Sequence, residues 1–70
     1  MPVYVYKTNV AYAETAGAIA GQLKKIPGVV RCNFDLSDID RILRVEATTA
    51  LSPVVERTLS AAGFFCRELD

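Results

Sequence analysis

The chain contains no histidine and no tryptophan, and it has two cysteines among its 70 residues. Zinc sites, Cys/His dyads and Ser/His/Asp triads draw on histidine or cysteine in spatial clusters, so most catalytic and metal chemistry has nothing to work with here. An excess of charge is missing too. Eight basic and eight acidic residues cancel, which leaves no long-range field to draw in nucleic acid or an anionic membrane. The apolar runs are a few residues long, against the roughly 20 needed to cross a bilayer, and no charged start leads into an apolar stretch as in a signal peptide. These absences point to a non-enzymatic, cytoplasmic protein without nucleic-acid partners or membrane insertion, or to one domain of a longer chain.

Half of the residues (51%) are apolar, which is ordinary for a folded domain and too many for a disordered one. A chain this short buries about 60% of its unfolded surface, so a single core over residues 1–70 with a narrow stability margin is expected.

VYVYKT, residues 3–8, is β-branched and aromatic almost throughout and reads as a strand. From Glu14 to Ile26, Ile19, Leu23 and Ile26 fall on one helical stripe that Ala16 and Ala20 complete. Pro27 and Gly28 stop that helix, the proline by disfavouring helical geometry before it and the glycine by admitting positive φ. VVRCNFDL and RILRVEA alternate as strands around the polar turn SDID. Ser52 and Pro53 form a helix start, with serine as N-cap, and Gly63 closes that helix. FFCREL then reads as a fourth strand.

The order βαββαβ predicts an α+β, ferredoxin-like domain. Its four-stranded antiparallel sheet takes the order 4-1-3-2, with both helices on one face because each crossover is right-handed. Alternation turns Tyr4, Tyr6, Cys32, Phe34, Leu43, Val45, Phe64 and Cys66 toward the helices. Val3, Val5, Ile42, Arg44, Phe65 and Arg67 face away.

With this topology, KTNV-AYAET-AGAIAGQLKKIPGVVRCNFDL and LSPVVERTLSAAGFFCREL resemble the heavy-metal-associated domain family of copper chaperones and metal-transporting ATPase domains. The resemblance spans nearly the whole chain. It rests on Val10, on the helix exit from Leu23 to Val29 with its I-P-G-V run, and on the A-G-F entry to the last strand at Ala62 to Phe64. It implies a Cys-x-x-Cys loop after the first strand that holds Cu(I) or another soft ion. Those two positions fall on Tyr12 and Thr15. Phenol and alcohol are hard oxygen donors whereas Cu(I) selects sulfur, so no metal or cofactor is expected at this loop.

Cys32 and Cys66 lie on opposite edges of the expected sheet, about 14 Å apart at a strand spacing of about 4.8 Å. That is beyond the reach of a disulfide, and both read as small buried hydrophobes. Asp35, Asp38 and Asp40 lack the glycine and closing glutamate of a calcium loop and read as turn formers. Lys24, Lys25 and Arg31 gather near the exit of the first helix, where cations suit the backbone dipole.

The leading expectation is therefore a degenerate heavy-metal-associated-like module without its thiolate site, related to metal trafficking. It would act through a protein partner or self-association, by the Tyr12 loop or by the open sheet face. The contact residues would be Val3, Val5, Tyr12, Glu14, Ile42 and Phe65, with Val3, Val5, Ile42 and Phe65 forming an apolar patch. At the loop, Glu14 suits the positive helix end and Thr15 helps to cap it. The alternative is copper-chaperone-like metal binding or transport through an atypical or intermolecular cysteine site. Two other uses of the topology fit poorly: acyl-phosphate hydrolysis lacks a phosphate cradle, and base stacking on the sheet lacks a basic face.

Overall fold

A computed structural model describes residues 2–69 of the chain. The elements run β1 (Val3–Thr8), α1 (Ala13–Leu23), β2 (Val29–Asp35), β3 (Ile42–Ala47), α2 (Ser52–Ala61) and β4 (Cys66–Glu68). The sheet order is β2-β3-β1-β4 with every pairing antiparallel, which is the expected 4-1-3-2 order read from the other edge. This is the ferredoxin-like α+β fold. Helix α1 packs on β2 and α2 packs on β4, so each helix covers one half of the same sheet face.

Alternation in the strands decides which side chains meet the helices. Tyr6, Leu43 and Val45 are completely buried and pack with Val10, Ile19, Leu23, Val55 and Leu59, while Tyr4, Phe34, Phe64 and Cys66 are partly buried against this core. Every residue expected to face the helices does so. At about 25 cal/mol per Å² of apolar area, this interior is the main source of stability.

The ends of the helices depart from expectation. Helix α1 stops at Leu23, and Lys25 and Ile26 continue as tighter turns whose N–H groups donate to Gln22 O and Leu23 O, both at 3.1 Å. Pro27 disfavours α geometry at Ile26, so the last expected turn unwinds while Ile26 still packs against the core. Gly28 then takes φ of +98° and Gly63, after α2, takes +89°. Helix α2 begins one residue earlier than its sequence suggests. Its N-cap is Leu51, without a side-chain capping bond, and Ser52 is already helical. The Ser52 hydroxyl is used elsewhere, as described below. Strand β4 is also shorter than FFCREL, because the N–H of Phe65 donates to Asn9 Oδ1 at 2.8 Å rather than to a neighbouring strand.

Candidate functional site

The loop between β1 and α1 is pinned on both sides of its exposed tip. Thr8, buried at the end of β1, donates its N–H to Asp40 O at 3.1 Å and its hydroxyl to Arg41 O at 2.6 Å. The same hydroxyl oxygen accepts the N–H of Val10 at 3.2 Å. Val10 is wholly buried in the core. One threonine thus ties the loop to the β2–β3 turn, and one valine anchors it below.

Beyond Val10 the chain rises to Tyr12, whose backbone is extended (φ −119°, ψ 137°) and whose side chain is 74% exposed. Its carbonyl accepts the Ala16 N–H at 2.9 Å, which makes it the N-cap residue of α1, but its phenol gives no capping bond. Glu14 is exposed in the first turn, where its carboxylate suits the positive end of the helix. Thr15 does not cap. It is the third residue of the helix, and the N-cap position belongs to Tyr12.

The donors at this loop are a phenol and an alcohol oxygen, and they do not fit a soft ion. The thiols are elsewhere. Cys32 is buried on β2 and Cys66 half-buried on β4, the two edges of the sheet, and both are free. The Cys32 Sγ donates to Ala20 O at 3.5 Å. Burial pushes this thiol up from its ordinary pKa, against a smaller opposing pull from Lys24. Cys66 is pushed up to about 12, first by burial and then by the nearby Glu56 carboxylate. A raised pKa works against the thiolate that a metal needs. Among the described residues, no three His, Cys, Asp or Glu side chains converge as a metal-binding group.

The acidic turn serves the backbone. Asp35 accepts the Ser37 N–H at 3.2 Å and the Ser37 hydroxyl at 2.7 Å, and Asp38 accepts the Asp40 N–H at 2.8 Å. The Ser37 hydroxyl contributes most to holding the Asp35 carboxyl below its ordinary range. The basic cluster divides: Lys24 is the C-cap residue of α1 through its backbone N–H, while Arg31 on β2 pairs with Glu46, its cross-strand partner on β3, at 3.5 Å.

The open sheet face corrects one expectation. Ile42 is 6% exposed and is not a member of a surface patch. The turn preceding it folds back on β1, where Asp40 receives both the Thr8 N–H and, at 3.4 Å, the Lys7 ammonium. Val3 (48% exposed) and Phe65 (49%) are on the surface, but at opposite ends of β1: Val3 lies beside Glu46, and Phe65 beside Asn9. Val5 is half-buried, next to Leu69, whose N–H donates to Val5 O at 2.8 Å. The four residues expected to cluster therefore do not meet as one patch, since Ile42 is buried and Phe65 lies at the far end of β1 from Val3. Arg31, Asn33, Arg44, Glu46 and Lys7 give the face a polar centre.

The sequence reading missed a polar cluster on the helix side. The Tyr6 hydroxyl lies 3.0 Å from Ser52 Oγ, and Ser52 Oγ in turn donates to the Glu68 carboxylate. The Glu68 N–H donates to Glu56 Oε2 at 3.2 Å. Burial is the main cause raising the Tyr6 pKa. The signal was an inward-facing tyrosine, since a buried phenol must find a partner. The cluster fastens the short strand β4 to α2 and β1.

By fold this is a ferredoxin-like domain whose β1–α1 loop is held by Thr8 and Val10 and exposes Tyr12. A solved structure described as "Crosstalk between Cu(I) and Zn(II) homeostasis" superposes with a TM-score of 0.81 over 99% of this chain and 100% of that one, at 17% identity. At that identity the likeness is one of fold. No protein-family model matches the chain, and no curated protein does.

Proposed function

We propose that this domain is an interaction module on the heavy-metal-associated architecture, related to metal trafficking, that works without binding a metal itself. The observation that carries the reading is the β1–α1 loop, held by Thr8 and Val10, with Tyr12 exposed where the resemblance calls for a thiolate. A loop this firmly fixed loses little entropy when it is contacted, and an exposed tyrosine offers a large, two-torsion contact surface. The likeness in fold to a structure described in terms of Cu(I) and Zn(II) homeostasis supports the metal-trafficking context.

The test is Cu(I) titration of the reduced native protein against a competing chelator. The expected result is no competition by the protein. Stoichiometric uptake at sub-micromolar affinity defeats the reading and favours an intermolecular cysteine site instead.

A further inference from the structure

Strand β2 has β3 on one side and no strand on the other among the described residues. Such an edge presents unpaired N–H and C=O groups, which proteins usually blunt with short strands, lysine, proline or bulges. Here the edge strand is seven residues long and contains neither lysine nor proline, and its two charged residues, Arg31 and Asp35, are of opposite sign. The bulge, between Val29 and Arg31, sits at its beginning and leaves Arg31 to Asp35 regular. By the register with β3, Arg31, Asn33 and Asp35 share the open face, opposite Glu46, Arg44 and Ile42. Cys32 and Phe34 share the helix face.

We propose that a second copy of this chain pairs antiparallel with this edge, on a two-fold axis through Asn33, to give a continuous eight-stranded sheet. The strand is complementary to itself in that register alone among its neighbours. With the axis at Asn33, Arg31 of each copy stands opposite Asp35 of the other, giving two opposite-charge cross-strand pairs, and Cys32 stands opposite Phe34. With the axis at Cys32, Arg31 meets Asn33; with the axis at Phe34, Asp35 meets Asn33. Both of those registers lose the charge pairing. Opposite charges directly across an antiparallel pair stabilise it and like charges oppose it.

The helix side of the same edge supplies an independent observation. Along it runs an apolar depression of about 210 Å³ lined by Ala13, Ala16, Gly17 and Ala20 of α1 and by Phe34 and Leu36. The two-fold axis turns this depression toward its counterpart, so Phe34 and Leu36 of both copies are covered as α1 approaches its mate. Small residues permit that approach, and the space around Gly17 is open, with no atom within 4 Å of an added Cβ. Isologous pairing of this kind closes on itself and does not propagate into a fibre.

The inference is independent of whether the Tyr12 loop binds a partner, because self-association is read in metal-free protein alone. Sedimentation equilibrium of the native chain from micromolar to about millimolar concentration is expected to show reversible monomer–dimer exchange, typical of a modest interface. Arg31→Asp and Asp35→Arg should each weaken dimerisation by about tenfold or more, since each turns two attractive pairs into repulsive ones. The double swap Arg31→Asp/Asp35→Arg should return it to within about threefold of native, a recovery that loss of folding in either single variant would not mimic. Gly17→Leu, which fills the depression in open space, should weaken it too. Asn33→Cys in a Cys66→Ala background should form an intermolecular disulfide on mild oxidation faster than Ile39→Cys, because opposed residues in an antiparallel pair have Cα atoms about 4.5 to 5.5 Å apart. A monomer throughout the concentration range, or a dimer indifferent to both single charge reversals, overturns the proposal.

Discussion

The hydroxyl of Tyr6 donates its hydrogen bond to Ser52 across 3.0 Å, because the one hydroxyl proton of Ser52 is already committed to the Glu68 carboxylate. The direction of the chain is thereby fixed: phenol to alcohol to carboxylate. A carboxylate that only accepts sets the polarity of two hydroxyls, and the set joins β1, α2 and β4 through side chains distant in sequence.

Removing the middle of this chain should cost more than removing its end. Ser52→Ala leaves the Tyr6 phenol buried without an acceptor, an effect of about 1 to 3 kcal/mol. Tyr6→Phe removes the donor and leaves Ser52 paired with Glu68, and should cost about 1 kcal/mol. The double variant should be less destabilised than the sum of the two, because the orphaned phenol no longer exists. Urea unfolding at neutral pH measures all three, and each kcal/mol should lower Tm by about 4 to 8 °C in a domain this size.

Ser52 also shows where sequence reading ends. Ser followed by Pro is a sound helix-start signal, and a helix does start there. Whether the hydroxyl caps that helix or bonds a tyrosine 46 positions away depends on which strand faces it, and only the assembled sheet decides that. Local rules were sufficient wherever the cause is local. Alternation turned Tyr6, Leu43 and Val45 inward, and Gly28 and Gly63 take the left-handed turns their positions demand. Ile42 is the opposite case: its side of the sheet followed from parity, but its burial, to 6% exposure, did not. The resemblance, not the helical periodicity, which began at Glu14, put Tyr12 at the head of the helix, and Tyr12 is the N-cap of α1. That its loop hangs on Thr8 was not legible, since nothing in the sequence links Thr8 to Arg41.

The two left-handed glycines should respond unequally to alanine. At Gly63 an added Cβ meets nothing within 4 Å, so the penalty is conformational, about 1 to 2 kcal/mol. At Gly28 the Cβ also meets the Thr48 and Thr49 hydroxyls, both at 3.3 Å, beside the Thr48 N–H bond to Gly28 O at 2.8 Å. Gly28→Ala should therefore be the more destabilising by about 1 kcal/mol. Equal urea midpoints for the two variants would show that the threonines simply move aside.

Alkali should weaken the fold ahead of general denaturation. The Cys66 thiol is raised from its ordinary value of 9.0 to about 12 by burial and by Glu56. Between those values the unfolded chain has released this proton and the folded chain has kept it, so deprotonation favours unfolding and stability falls as pH rises. The buried Tyr6 phenol, also raised, acts in the same direction at its own higher range. Urea midpoints should drop from pH 8 to pH 11, and Cys66→Ala should flatten the lower part of that drop. Thiol labelling of the native protein at pH 8 should be slow at both cysteines and become fast in denaturant.

Introducing sulfur at two positions should convert the loop into a metal site without altering the fold. Tyr12 is the N-cap of α1 and Thr15 lies in its first turn, so Tyr12→Cys/Thr15→Cys places two thiols at the positive end of a helix, where the thiolate form is favoured. The tyrosine is exposed and offers no capping bond that would be lost, and Val10 and Thr8 hold the loop from below. The double variant should compete for Cu(I) with a chelator more strongly than the native protein, while each single variant, with one thiolate, should compete weakly or not at all. Its unfolding free energy in urea should stay within about 0.5 kcal/mol of native, as for surface substitutions generally. Failure of the double variant to take up Cu(I) while remaining folded would mean that this loop differs from a thiolate-binding one in backbone geometry as well as in its side chains.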